Sequence, residues 1–227
     1  TAVRAVTYGF TADADVGAER VRSRGIAGMR FQLRLATQTG TERVAASIPT
    51  LGRLSVHNAL AGAAVGLAAG MAPDAIAAAL DAGWFAPHRG QLLAAGGVTI
   101  VDDSYNASPA SMVAALEMLA DLPGRRIAVL GEMLELGEGA SAGHRDVGIA
   151  AASTCALLVT VGEGAAALAA GAREAGLDAA AVIETPDRAA ALAVLQERLV
   201  PGDVVLVKAS RGLELDRLAD DLLAGLA

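Results

Sequence analysis

"VTIVDDSYNASPASMVAALEMLADLPGRRIAVLG", residues 98 to 131, decides the fold. "VTIVDD" reads as an apolar strand that ends in two acids. A short polar loop follows. Ser108 and Pro109 then stand where a helix cap and a first helical turn prefer them. "SPASMVAALEMLADL" reads as that helix, and "RRIAVLG" is a second apolar strand. The same alternation runs on through "ALLVTVG", "AAALAAGAREAG", "AAVIET", "PDRAAALAVLQERL", "GDVVLVKAS" and "LELDRLADDLLAGL". Its strands are short, apolar and valine-rich, as strands buried on both faces must be. The expected fold class is α/β, with a doubly wound, mainly parallel sheet in the later part of the chain.

Upstream the rhythm differs. Residues 1 to 50 read as β-rich. "VRAVTYGF" is a strand candidate, and "MRFQLRLA" and "ERVAASIP" alternate around "TQTGT", a turn carrying Gly40. The pattern then turns helical. Ser55 is the expected cap of a helix through "NALAGAAVGLAAG", which ends near Gly70. "PDAIAAALDAG" is a second helix, with Pro73 at its first position. "WFAPHRG" reads as a linker, which gives two expected domains, 1–88 and 89–227.

The composition limits what the chain can do. Hydrophobic residues are 54% of the 227 and aromatics 3%, so alanine, leucine and valine must fill the core. A net charge of -7 argues against a general nucleic-acid or anionic-membrane binder, because either partner would repel it. Arg20, Arg22 and Arg24 form the densest basic set and read as a solvated face. Cys155 is the only cysteine, which excludes an intrachain disulfide and suits a reducing compartment. Its apolar setting marks it as structural. No stretch reads as a membrane span. The chain begins with Thr1 in strand-like sequence, so a fragment of a longer protein is the expectation.

In doubly wound sheets the chemistry lies at the carboxyl ends of the strands. The first set there is Asp102, Asp103, Ser104, Tyr105 and Asn106. A carboxylate can accept from ribose hydroxyls, a tyrosine can stack on a base, and an asparagine can read an amide-like edge. A loop that merely caps the next helix fits these residues equally well. The second set is Glu132 and Glu135, with His144 and Arg145 expected to open the next helix. They could orient an amine or a metal, although the spacing matches no zinc motif, and a solvated loop suits the composition better. The third set is Lys208, Ser210 and Arg211. Lys208 is the only lysine in the chain. Lysine and arginine together suit phosphate or carboxylate, whereas a lysine paired with a nearby carboxylate is the plainer alternative. A phosphate loop of the Walker A type needs Gly-Lys, and none occurs.

These motifs, in this order, resemble the C-terminal part of a Mur ligase. The resemblance is strongest to the type that adds D-alanyl-D-alanine (the MurF type). It rests on Asp102 to Pro109, on "VLGEMLELG" at 129–137 with His144 after it, and on Lys208-Ala209-Ser210-Arg211. The earlier stretches "TYGFTADADV" and "PTLGRLSVHNALAGAAVGLAAG" are similar to the later part of the family's central ATPase domain. The resemblance implies that 1–88 is part of that central domain without its phosphate loop. It implies that 89–227 is the Rossmann-like C-terminal domain. It further implies an ATP-dependent ligase that joins D-alanyl-D-alanine to UDP-MurNAc-tripeptide through an acyl phosphate. Such an enzyme serves peptidoglycan synthesis and is expected to be a cytoplasmic monomer. Its Mg ligands and catalytic residues would lie before residue 1, so no catalytic and no metal-binding residue is expected here, and the chain should be inactive alone.

By the same resemblance Asn58 contacts adenine and Arg89 reaches ATP phosphate. Asp103 holds the ribose hydroxyls, with Tyr105 and Asn106 beside the nucleotide. His144, Lys208, Ser210 and Arg211 lie near the incoming amino substrate. Three positions depart from the family pattern. Leu54 and Ser55 replace a histidine and an asparagine, which weakens a polar grip on ATP. Ala209 replaces a glycine, which is tolerable only without positive φ. Two alternatives stay open: another Mur-like amide ligase of the folyl-polyglutamate or cyanophycin type, and a non-catalytic module that binds nucleotide or peptide. On any of these readings residues 97–227 should fold alone. Residues 1–88 should be less stable, because an open sheet edge is expected there.

Overall fold

The computed structural model describes residues 5–226. The chain divides into two compact units, Thr1–Phe85 and Ala86–Ala227.

The first unit is a four-stranded sheet, β1 (Tyr8–Gly9), β2 (Val16–Ser23), β3 (Met29–Thr37) and β4 (Gly40–Ile48), in that spatial order. β3 and β4 form the expected hairpin, with Thr37 opposite Gly40. Two helices, α1 (Gly52–Ala68) and α2 (Pro73–Ala82), follow. Phe31, Leu33 and Leu35 of β3 bury one face of the sheet against Val56 and Leu60 of α1 and Ile76 of α2. Gly70 has φ 80, and the amides of Gly70 and Met71 return to the carbonyls of Leu67 and Gly66. That is a Schellman ending, which glycine permits at low cost.

Three details differ from the sequence reading. The strand expected over "VRAVTYGF" shrinks to Tyr8–Gly9. Its start, Val3 and Arg4, lies outside the described residues. Thr7 instead bonds Asp15 through its amide and its hydroxyl, both at 2.8 Å. Ser55 caps nothing, because α1 begins three residues earlier with Leu51 as its uncapped N-cap. β2 has no counterpart in the sequence reading. A bulge between Glu19 and Arg22 breaks its alternation, so Val16, Ala18 and Val21 turn inward at unequal spacing.

The second unit holds a six-stranded sheet: β5 (Gln91–Ala95), β6 (Val98–Asp102), β7 (Arg125–Gly131), β8 (Leu157–Val161), β9 (Val182–Thr185) and β10 (Asp203–Lys208). The spatial order is β5-β6-β10-β7-β8-β9, and all pairs but β5–β6 are parallel. The doubly wound, mainly parallel sheet is therefore present. Its helices are α3 (Pro109–Ala120), α4 (Ala140–Ala152), α5 (Ala166–Glu174), α6 (Arg188–Arg198) and α7 (Leu215–Leu226). Ile100, Val129, Val159, Val205 and Val207 meet Leu195 of α6 and Leu215, Leu218 and Leu222 of α7. Neighbours of opposite parity, such as Val101, Leu130, Leu158 and Leu206, are equally buried. They face the other side, where α3, α4 and α5 lie side by side. β10 thus sits between two strands whose following helices cover the opposite face from its own. A crevice forms at such a switch of direction.

The cap of α3 is as expected: the Ser108 hydroxyl accepts from the Ser111 amide, and the Ser111 hydroxyl accepts from the Ser108 amide. β5 was not expected, and neither was the start of α4 at Ala140. His144 therefore lies in the second turn of α4 rather than opening it. α4 and α5 touch through glycines. A Cβ on Gly148 would stand 2.0 Å from the Leu168 carbonyl oxygen, and one on Gly171 2.3 Å from that of Arg145.

This contact generates a prediction. Gly148→Ala should destabilise the second unit by about 1–3 kcal/mol, because the helices must separate to admit a methyl group. Gly139→Ala, which meets nothing within 4 Å, should be close to neutral. Urea denaturation of the two variants measures the difference.

Candidate functional site

Lys208 organises the carboxyl edge of the second sheet. It is 3% exposed, and its Nζ donates to Asp103 Oδ2 at 2.6 Å, to the Asn106 carbonyl at 3.0 Å and to the Asp103 carbonyl at 3.4 Å. Three protons meet three acceptors, which is what a buried ammonium requires. The Asp103 amide in turn bonds the Val207 carbonyl, so the loop after β6 is sewn to β10. Burial raises the Asp103 carboxyl above its ordinary value. The Lys208 charge and hydrogen bond and the Gly90 amide oppose that shift, and the Asp102 charge adds to it.

Asp102, 1% exposed, faces the other way. Its Oδ2 lies 2.7 Å from His88 Nδ1, and its Oδ1 accepts from the Ser104 amide at 3.1 Å and the Ser104 hydroxyl at 2.5 Å. His88 holds φ 59, an uncommon conformation for a non-glycine residue. Three bonds fix it there: the Asp102 pair, its amide to Gln91 Oε1 and its carbonyl from the Tyr105 amide. The next residue, Arg89, is thereby placed with its Cζ 4.0 Å from the centre of the Tyr105 ring. Arg211 approaches the same ring at 5.2 Å. An exposed tyrosine with two guanidiniums near its ring brings aromatic surface and positive charge together.

The loop after β7 is held as firmly. The Ser210 hydroxyl accepts from the Leu134 amide at 2.9 Å, and the Ser210 amide donates to the Glu132 carbonyl at 3.0 Å. His144, 3% exposed, accepts the Met133 amide at Nε2 (2.8 Å) and faces the Ala140 carbonyl with Nδ1 (2.7 Å). Both of its ring nitrogens are thus in use. Glu132 Oε1 accepts the Gly164 amide at 2.8 Å. Among the described residues no three His, Cys, Asp or Glu side chains converge to hold a metal. A hollow of about 440 Å³ lies over this loop, lined by Glu135, Ser141, His144 and Glu163 among others. Cys155 lies away from this edge, and burial pushes its thiol up to about 12, so it carries no thiolate.

In the first unit Asn58 is exposed on α1. Beside it His57 meets Tyr8 at 5.2 Å and Phe10 at 5.9 Å between ring centres, and Arg53 lies 3.9 Å over Phe10. These rings could stack a planar ligand.

Comparison with known proteins now bears directly on this edge. The profile of the domain described as "Mur ligase, glutamate ligase domain" matches residues 88–211, more than half of the chain. The chain belongs to the Mur ligase family. It is 39% identical, over an alignment of 249 residues, to the UDP-N-acetylmuramoyl-tripeptide--D-alanyl-D-alanine ligase of Mycobacterium tuberculosis. That alignment covers 99% of this chain and 48% of the relative, so the chain spans about half the length of the curated relatives it matches. Among solved structures it resembles MurF from Acinetobacter baumannii, at TM-score 0.82 and 27% identity, over 96% of this chain and 46% of that one. The fold is also that of MurF from Thermotoga maritima, crystallised with ADP, at TM-score 0.79 and 23% identity over 96% of this chain and 48% of that one.

Two departures from the Mur ligase pattern find a physical setting. Ala209 is fully buried and is not among the residues with positive φ, so a methyl group fits where the family has glycine. Gly131 across from it makes the room: a Cβ there would stand 2.7 Å from the Ala209 Cβ. Leu54 is half exposed on α1 and Ser55 lies within the helix. His88, Tyr8 and His57 were passed over in the sequence. "PHRG" held the clue to His88, because a histidine ahead of Arg-Gly in a linker has no core to serve.

Two predictions follow from these bonds. The Asp102 hydrogen bond raises the His88 pKa above 6.5, burial opposes it, and the charges of Asp102, Asp216 and Asp220 add to it. A raised folded-state value makes this stabilisation complete below 6.5 and lost as pH rises through the folded-state pKa. Urea stability should decline over that window, and His88→Gln should flatten the decline. Lys208→Met should cost about 3 kcal/mol, the low end for a broken buried pair, because Asp103 keeps some access to water. The urea midpoint reads this directly.

Proposed function

We propose that this chain is the later half of a D-alanyl-D-alanine-adding Mur ligase. In this reading residues 1–88 belong to the central ATPase domain and 89–227 form the C-terminal domain. The carrying observation is the Arg89–Tyr105–Arg211 cluster beside the Lys208–Asp103 pair at the switch point of the sheet. Two exposed guanidiniums suit phosphate oxygens, the ring offers an apolar face to a nucleoside, and the part-exposed Asp103 can accept from ribose hydroxyls. The donor set therefore fits ATP. Asn106, exposed next to Tyr105, would flank the nucleotide. Asn58, exposed on α1, is assigned to adenine on the family resemblance alone.

ATP supplies the phosphoryl group that activates the carboxylate of UDP-MurNAc-tripeptide toward the amine of D-alanyl-D-alanine. The residues of this chain bind and orient. Arg89 and Arg211 neutralise phosphate charge, and Asp103 fixes the sugar. Lys208, Ser210 and His144 act on the amino-substrate side by holding the loops that carry Arg211, Met133 and Leu134. The catalytic residues and the Mg ligands are assigned to sequence outside this chain, and the protein to the cytoplasm as a monomer. Among the described residues no helix is long and apolar enough to cross a membrane.

Calorimetry tests this reading. The chain should bind ADP, and Arg89→Gln or Tyr105→Ala should each weaken binding by about tenfold, the loss of one charge-assisted or stacking contact. The same 227 residues should release no phosphate from ATP when given UDP-MurNAc-tripeptide and D-alanyl-D-alanine. ADP binding unchanged in both variants would remove the cluster from the nucleotide site. Substrate-dependent turnover would show that the chain needs no further catalytic residues.

A further inference from the structure

The sheet of the first unit gathers arginines on the face opposite its apolar core, where the only reach of α2 among the described hydrogen bonds is Asp81 to Ser47. Two like-charged pairs stand directly opposite each other across its strands, Arg34 with Arg43 and Arg22 with Arg30. Such pairs repel. The first is balanced: Glu19 lies 3.5 Å from Arg34 and bonds Arg43 twice, at 3.2 Å each. Arg34 also donates to the carbonyls of Ala14 and Thr11. The second has no such relief. Among the described residues neither Arg22 nor Arg30 has an ion pair or a side-chain hydrogen bond.

The bulge in β2 adds a third guanidinium to that pair. Arg20 takes φ 54 where the register shifts, which keeps Val21 in the core and leaves Arg20 and Arg22 both exposed. A bulge re-aims a side chain in this manner at a conformational cost. Glu19 is near enough for its charge to be felt by Arg20, but its oxygens serve Arg43. Arg20, Arg22 and Arg30 rim a hollow of about 320 Å³ whose remaining lining is Phe31, Gln32 and Ala45. Three arginines around one hollow, none with an ion pair among the described residues, mark a place for an anion in a chain of net charge -7. Guanidinium forks match the oxygens of a phosphate, and a dianion between Arg22 and Arg30 would turn their repulsion into attraction.

We propose that this hollow is a binding site for a phosphate group, either free or carried as a phosphomonoester. It lies wholly within the first unit and is independent of the nucleotide reading. The test is a 1H–15N NMR titration of the whole chain at fixed ionic strength, with inorganic phosphate in one arm and glycerol 3-phosphate in the other. Amides of residues 20–22 and 30–32 should shift and saturate. Saturation by both ligands supports a site for the group itself, and saturation by the ester alone supports the site and names its source. Arg22→Gln with Arg30→Gln should weaken the response by about tenfold or more. Arg22→Glu gives Arg30 a cross-strand partner, so it should raise the melting temperature and abolish the response even if the double variant folds poorly. Peaks of Arg89 and Arg211 report separately on the other edge. Shifts confined to that edge, shifts that never saturate, a response unchanged in the variants, or saturation by tetraglutamate but by neither phosphate would each overturn the proposal.

Discussion

One buried ammonium governs the functional edge of the second unit. Lys208 ends the strand that lies third among six, and its protons are shared between the side chain and carbonyl of Asp103 and the carbonyl of Asn106. Stripping an ammonium of water is costly, so this bond set tolerates no slack. It fixes the loop after β6, and with it the start of α3, the backbone of Tyr105 and the turn that holds Arg89. The far end of the same strand is secured likewise, where Arg125 donates to the buried Asp203 at 2.8 and 2.7 Å. β10 is thus ion-paired at both ends, with an apolar sheet between.

The residues gathered at this edge divide into two kinds. Lys208, Ser210 and His144 are buried and bonded within the chain. Arg89, Tyr105, Asn106 and Arg211 are exposed. The buried set gives the exposed set its positions, and the exposed set meets solvent and ligand. A rigid frame under a few free side chains is how a site is preorganised without strain in the groups that bind. Substitutions in the two sets should therefore be read differently, as loss of stability in one and loss of affinity in the other.

Most of the second unit was legible in the sequence because its strands are continuous apolar runs that alternate with helical segments. Ser108-Pro109 is an explicit start signal, and the Ser108 side chain accepts the expected amide; Asp187 caps α6 in the same way. β5 was missed because "QLLAA" lacks β-branched residues and is only half buried. Its signal was the turn that follows: Gly96 and Gly97 both have positive φ and join β5 to β6 as a two-residue hairpin. β2 was missed because its bulge destroys the period on which a strand is recognised. At the site, the residue types at the strand ends were readable, but their partners were not. Nothing local says that Lys208 reaches Asp103 across more than a hundred residues, or that Asp102 turns to His88 while its neighbour turns away. Such pairings are set by strand order, which the sequence does not display.

The solitary lysine has a further consequence for how the chain meets chemistry from outside. Amine-reactive reagents find one ε-amino group, and in the native state it is 3% exposed and held by three acceptors. A lysine-specific protease has a single bond to cut, inside the segment that joins β10 to the last helix. Reactivity at that one position therefore follows the opening of the sheet edge itself. The chain carries its own single-site gauge of unfolding, placed at the point on which the arrangement of the edge depends.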